Sequence, residues 1–388
     1  MKSIPYGKQE ITDEDIKVVT DVLKSEFLTQ GPAVLEFEKK FAEYIGSQYA
    51  VAVSNGTAAL HLCALALGVA PGQKVIVTPI TFAASSNCIL YCGADVEFVD
   101  IDPENYCLDY TKVKALLESA PKGTYAGIVP VDFAGYPINL EKFKALADEH
   151  NLWIIEDACH APGGAFLDSK NVWQKCGNSK FADLAIFSFH PVKHIASGEG
   201  GMITTNNIDL YNKLMMLRTH GITKDHSKMK NEPHGAWYYE MQMLGYNYRM
   251  PDMLCALGSS QLNRADFNLD RRHKIAARYD KELQGLPIEL PKRGDKVNHA
   301  FHLYIILTEH RKKLYDFLRS RNIFPQVHYV PVTELPYYRE IGYSVSTTPL
   351  SKSYYDKCLS IPMFHSMTSE EQTYVIETIK EFFNGTPR

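Results

Sequence analysis

The sequence has no C-x-x-C pair, no basic cluster, no internal repeat, no low-complexity tract and no uninterrupted apolar run long enough to cross a bilayer. Each absence excludes a class of protein. The eight cysteines, at 63, 88, 92, 107, 159, 176, 255 and 358, are scattered, and several lie in apolar runs, where a free thiol behaves as a small hydrophobe. This favours a reducing cytoplasm over a disulfide framework and gives no support for a zinc site. A formal net charge of −4 argues against a nucleic-acid or anionic-membrane footprint. The opening Met1-Lys2-Ser3-Ile4-Pro5 has no apolar region of the kind a secretory signal carries. A cytoplasmic protein without nucleic-acid or membrane partners is therefore expected. Two phosphate-binding fingerprints are also missing: no loop ends in the G-K-[ST] of a Walker motif, and none reads G-x-G-x-x-G.

What is present is an alternation. Thr12 opens a helix to about Lys24, with Asp13, Glu14 and Asp15 in its first turn, and a second helix runs from about Val34 to Ile45. Strands are predicted at 49–53, 74–78, 95–100, 127–131 and around 152–157, alternating with helices at 56–67, 82–91, 111–119 and 139–150. Repeated strand–helix units imply a mostly parallel sheet with helices on both faces. Ligands in such folds bind beyond the carboxyl ends of the strands. The stretch from His220 to Glu240 is polar and irregular and reads as a mobile or interface loop. Pro251 suits the first turn of a long helix reaching about Leu283, which would cross into a second domain with strands near 300–306 and 326–329 and helices near 311–320 and 369–383. The 388 residues are enough for two cores. The expected organisation is α/β: a large domain over residues 1–260, N-terminal segment included, and a small α+β domain over 261–388.

The stretch with the most chemistry is Ser188 to Gly201. Leu184-Ala185-Ile186-Phe187 reads as a buried strand leading into it, and Met202-Ile203-Thr204-Thr205 as a strand leaving it. Lys193 in the loop between them is either a solvated charge or a buried amine. Lysines are mostly surface residues, but apolar flanks and the glycines at 198, 200 and 201 let a flat ligand approach. A buried amine has a depressed pKa and can form a Schiff base. With pyridoxal phosphate that chemistry needs three further things: a carboxylate on the ring nitrogen, phosphate donors and a ring platform. Asp157, at a strand end, supplies the first unless it merely caps a helix. Gly56, Thr57 and Ala58 open a helix after a strand, which is either a phosphate cup or an ordinary cap; Ser188 could add a donor. Phe82 could stack on the ring. His190 and His194 are four apart, but Pro191 and the lack of a third ligand argue against a metal, and none is expected.

These residues, in this order, resemble the DegT/DnrJ/EryC1/StrS sugar aminotransferases of fold type I. The similarity is carried by Ser54-Asn55-Gly56-Thr57-Ala58-Ala59-Leu60, Glu156-Asp157-Ala158-Cys159-His160-Ala161, Phe187 to Gly201, Gly245-Tyr246-Asn247-Tyr248-Arg249-Met250 and His328-Tyr329-Val330-Pro331, and it covers nearly the whole chain. It implies that the large domain binds pyridoxal 5′-phosphate, that Lys193 holds it covalently and moves the proton, that Asp157 meets the ring nitrogen, that Phe82 stacks, and that Thr57, Ala58 and Ser188 hold the phosphate. It further implies that His160 meets the phenolic oxygen, where many relatives have glutamine, with its charge state open near neutral pH. Asn247 would reach the phosphate of a neighbouring subunit, making an obligate homodimer with shared sites. Arg249 would meet the amino donor's carboxylate, and Tyr6, Leu28, Thr29, His328 and Tyr329 the sugar nucleotide.

Within the family, His190 to Ile195 with Gly198 to Gly201 is most similar to enzymes of pseudaminic-acid biosynthesis. That implies glutamate as donor and a UDP-linked 4-keto-6-deoxy-N-acetylhexosamine as acceptor. Alternatives are another nucleotide-linked keto sugar, such as a UDP-4-keto-pentose for lipid A modification or a dTDP-keto-hexose. A pyridoxal-dependent sugar dehydratase and a non-catalytic regulatory protein are disfavoured by Lys193 with Asp157.

Overall fold

A computed structural model describes residues 3–385. Seven strands make the central sheet: β1 (Tyr49–Val53), β2 (Lys74–Val77), β3 (Asp95–Phe98), β4 (Gly127–Val129), β5 (Trp153–Asp157), β6 (Leu184–Ser188) and β7 (Gly201–Thr205). They are ordered β1-β7-β6-β5-β4-β2-β3. All pairings are parallel except those of β7, which runs antiparallel to both β6 and β1. Successive side chains point to opposite faces of a strand, and here both faces are buried. Val51, Val53, Val75, Val77, Ile155 and Ile186 join one core with the helices Gly56–Ala66, Ala84–Tyr91 and Ile208–Leu217. On the other side, Ile76, Ile128 and Ile154 pack with the helices Tyr110–Ser119 and Leu140–His150. Ala50, Ala52, Phe187 and Met202 on that side meet the helices Pro32–Ile45 and Asp252–Leu262.

The C-terminal part carries an antiparallel pair, Tyr304–Leu307 with Cys358–Ile361. Its own core contains Tyr279, Ile306, Leu314, Leu359 and Ile376. The helices at Arg311–Ser320 and Ser369–Gly385 lie where periodicity puts them.

Four details differ from expectation. The single long helix after Pro251 is two, Asp252–Leu262 and Ala265–Glu282. Arg264 leaves the helical region (φ −108°, ψ 6°), and its guanidinium reaches the buried carboxylate of Asp15 at 2.8 Å. Pro251 is extended (φ −67°, ψ 152°) and precedes the first turn. Residues 326–329 are not a strand; Ile323–Phe324 pairs with Ile4–Pro5 instead, and Gln326 makes only a bridge to Ser360. The irregular loop contains a short ladder, Ile222–Thr223 against Glu240–Met241. Among the described residues no helix is long and apolar enough to cross a membrane.

Candidate active site

A cleft of about 710 Å³ opens at the carboxyl ends of the parallel strands. Its floor is set by register. Gly201 at the start of β7 pairs with Ser188 at the end of β6 on one side and with Val53 at the end of β1 on the other. A Cβ at Gly201 would lie 2.6 Å from the Asn55 carbonyl atoms, so only glycine admits the turn that follows β1. Between Ser188 and Gly201 the chain folds back: the N–H of Ser197 donates to the Phe189 carbonyl at 2.9 Å, and that of Lys193 to the His190 carbonyl at 2.8 Å. Ile195 and Ala196 are buried and anchor the loop, leaving Lys193 half-buried in the cleft wall.

Desolvation pushes the Lys193 ammonium pKa down, with the Cys159 thiol and Asp157 acting against that shift. Asp157 ends β5 and is buried. Its Oδ2 accepts from the Ser85 hydroxyl at 2.7 Å, and Oδ1 accepts from the Cys159 N–H at 3.2 Å. Ser85 and Thr81 are in turn 2.7 Å apart. The carboxylate is thus held on two sides and remains at the cleft surface.

Across the floor, Asn55 caps the helix Gly56–Ala66, accepting from the Ala58 N–H at 2.8 Å. The first N–H groups of a helix have no intrahelical acceptor and favour anions. Here Gly56 and Thr57 contribute them, facing Ser188; a Cβ at Gly56 would stand 3.1 Å from Ser188 Cβ. Phe82 is 63% exposed at the cleft edge, a large apolar face without cover in this chain. An amine, a fixed carboxylate, an anion cup and an aromatic face therefore line one cavity. The residues fit pyridoxal phosphate.

Imidazoles crowd the wall behind Lys193. His160 lies 4.3 Å, ring centre to ring centre, from His302, and His194 lies 5.6 Å from His302. His160 Nε2 is 3.2 Å from the Tyr329 hydroxyl. Burial holds His160, His194 and His302 well below the usual histidine range, helped at each by the positive charge of Lys193. His160 is therefore a neutral imidazole near pH 7. His328, pushed down to about 3 by burial and Lys193, contacts Tyr6 (5.0 Å between centroids) and Ser360 Oγ (2.8 Å).

Of the residues singled out by sequence, Tyr6, Gly56, Thr57, Ala58, Phe82, Asp157, His160, Ser188, Lys193, His328 and Tyr329 share this cleft. Leu28, Thr29, Asn247 and Arg249 do not line it. Leu28 and Thr29 are exposed, in the loop before the helix Pro32–Ile45; Asn247 is exposed and bridges Thr219; Arg249 is half-buried beside Val53. His190 reaches the cleft while His194 is buried behind it, so the two do not converge as a metal pair. Sequence reasoning missed Thr81, Ser85, Tyr248 and His302. Two had a signal: Tyr248 lies in the Gly245 to Met250 stretch that carries the similarity, and Ser85 is three residues, one helical turn, from Phe82.

A family model described as the DegT/DnrJ/EryC1/StrS aminotransferase family matches residues 9–380. The UDP-4-amino-4,6-dideoxy-N-acetyl-beta-L-altrosamine transaminase of Campylobacter jejuni (serotype O:2) is 37% identical over 97% of this chain and 96% of its own. GDP-perosamine synthase of Escherichia coli O157:H7 is 33% identical over 99% and 100%. Among solved structures, the pyridoxal-phosphate form of a putative sugar aminotransferase from Streptococcus pneumoniae superposes with TM-score 0.88 at 28% identity, covering 98% of this chain and 99% of that one. Helicobacter pylori PseC, an aminotransferase involved in pseudaminic-acid biosynthesis, gives 0.87 at 28%, covering 99% and 100%.

Proposed function

Since the chain belongs to the DegT/DnrJ/EryC1/StrS aminotransferase family, as a sugar aminotransferase of fold type I that uses pyridoxal 5′-phosphate, we propose that it moves an amino group from glutamate to C4 of a UDP-linked 4-keto-6-deoxy-N-acetylhexosamine. The observation that supports the chemistry is the placing of Lys193 and Asp157 in one cleft beside the helix N-terminus at Gly56. Similarity to the Campylobacter transaminase supports the substrate. The bound cofactor supplies an electron-withdrawing ring. Lys193 Nζ, whose pKa desolvation lowers, would hold the cofactor through its carbonyl carbon and, as a free amine, would carry a proton. Asp157 holds a proton on the ring nitrogen, with Ser85 fixing the carboxylate. Gly56, Thr57, Ala58 and Ser188 bind the phosphate, Phe82 covers the ring, and neutral His160 bonds the phenolic oxygen. Tyr6, His328 and Tyr329 form the wall against which the sugar sits.

Leu28, Thr29, Asn247 and Arg249 serve the cleft of a second copy, in a cytoplasmic homodimer with shared sites. Exposed Phe27, Leu28, Trp237 and Leu244 supply apolar surface for that contact. A second substrate reading, another nucleotide-linked 4-keto sugar, is favoured by the likeness to GDP-perosamine synthase. The test is a panel of UDP-, GDP- and dTDP-linked 4-keto sugars with glutamate. The UDP-N-acetylhexosamine should give the highest kcat/KM; a clear preference for a GDP- or dTDP-sugar would overturn the substrate while leaving the chemistry standing.

A further inference from the structure

Beneath the cleft, on the face of β5 opposite Asp157, lie two carboxyl groups. Asp132 and Glu156 are 0% and 1% exposed. One oxygen of each, with the sulfur of Cys176, falls within 4.8 Å of the others. Their hydrogen bonds can be accounted for atom by atom. Asp132 Oδ1 accepts from the Ile138 N–H at 2.9 Å, and Glu156 Oε1 accepts from the Gly177 N–H at 2.9 Å. Asp132 Oδ2 is buried without any donor. Two carboxylates this close in a dry core cannot both be ionised, and an unpartnered buried carboxylate oxygen is costly. A proton on Glu156 Oε2 satisfies both conditions at once.

We propose that Asp132 and Glu156 share a single proton, carried by Glu156 and donated to Asp132 Oδ2, and that the pair is a positioning device for Asp157. The backbone makes the link. The Asp132 N–H donates to the Asp157 carbonyl at 3.1 Å, and the Asp157 N–H donates to the Pro130 carbonyl at 2.9 Å. Clamping residue 132 to residue 156 therefore fixes the end of β5 from which Asp157 projects. Burial pushes the Glu156 pKa well up, and Asp132 raises it further; burial also lifts Asp132, to about 7, and Asp157 acts on both members in the same sense.

The inference rests on Asp157 being the partner of the ring nitrogen, but its test does not. Infrared spectra of the holoenzyme at pH 7 should show a carboxylic-acid carbonyl band. The band should shift when glutamate is labelled with carbon-13 at its side-chain carboxyl, and it should vanish in Glu156→Gln. The amide of the Glu156→Gln variant keeps a donor for Asp132, whereas Glu156→Leu does not. Cofactor affinity should therefore fall about tenfold, the effect of losing one buried hydrogen bond, in the leucine variant and be restored by glutamine. A band absent from wild type, or unmoved by labelled glutamate, would overturn the shared proton without recourse to any variant. So would a stoichiometric divalent metal whose chelation lowers Tm, since the three side chains would then be its ligands. Glutamine performing no better than leucine would overturn the positioning role. An Asp157→Asn enzyme that keeps transferring would refute the ring-nitrogen reading and leave the infrared result untouched.

Discussion

The Ser85 hydroxyl donates to Asp157 Oδ2 across 2.7 Å, from a helix that starts beside the aromatic face of Phe82. One turn of chain thus supplies both the proposed ring platform and the clamp on the carboxylate behind it. Removing the hydroxyl in Ser85→Ala deletes a hydrogen bond to a charged group, worth about 1.5–3 kcal/mol. Cofactor affinity should drop by roughly 10- to 100-fold, measured by absorbance titration of the apoprotein. Asp157→Asn should bind cofactor yet lose nearly all single-turnover transfer, because an amide cannot balance a protonated ring nitrogen.

Borohydride reduction of the holoenzyme should attach the cofactor to the peptide containing Lys193, as read by mass spectrometry; label on any other lysine contradicts the assignment. Desolvation lowers the Lys193 pKa, so the free amine, the form that reacts, is present at lower pH than for an ordinary lysine. The rate at which apoprotein takes up pyridoxal phosphate should rise with pH and level off below the usual lysine range, as followed by the growth of visible absorbance.

The proposed sharing of sites between two copies makes a quantitative prediction for mixed subunits. Lys193→Ala and Asn247→Ala should each be inactive as homodimers. In a hybrid, one site carries both lesions and the other carries none. Random re-pairing should restore activity to about a quarter of the wild-type sites. Hybrid dimers proven by mass spectrometry but lacking activity would mean that each site is built from one chain.

Buried histidines predict acid lability. The folded-state pKa values of His299 and His328 are held down to about 3 and that of His365 to about 4, chiefly by burial; His160, His194 and His302 shift the same way. Below the unfolded value of about 6.5 the unfolded chain binds protons that the folded chain does not. Stability is therefore lost as pH falls from about 6.5 toward 4, at about 1.4 kcal/mol per histidine per pH unit. His302→Phe keeps a flat ring against His160 and removes one titrating group. Its urea-unfolding free energy should fall less steeply with acid than that of wild type; an unchanged slope would sink this account.

Much of the sheet was legible in the sequence because strands buried on both faces are short apolar runs bounded by turn residues, as at Tyr49–Val53 and Leu184–Ser188. The cleft was legible where chemistry follows directly from strand ends, as at Asp157, Ser188 and Gly56. What could not be read locally depends on distant contacts. The break at Arg264 exists because its guanidinium finds Asp15, 249 residues away in the chain. His328 and Tyr329 look like a strand but turn toward the cleft. His302 joins the histidine group only because the C-terminal chain is sewn to residues 134 and 135 by backbone bonds from Leu303 and Ala300. Leu28, Thr29, Asn247 and Arg249 do not line the cleft of the single chain.

The antiparallel course of β7 separates two kinds of change that a parallel crossover would tie together. The lysine loop leaves the sheet at Ser188 and re-enters beside it at Gly201, as a detour whose two ends are neighbours. Residues added or lost inside the detour would reposition the amine while the ladder on either side kept its pairing. The anion cup on β1 would stay where it is. The position of the amine is thus adjustable while the anion cup and the sheet beside it stay fixed.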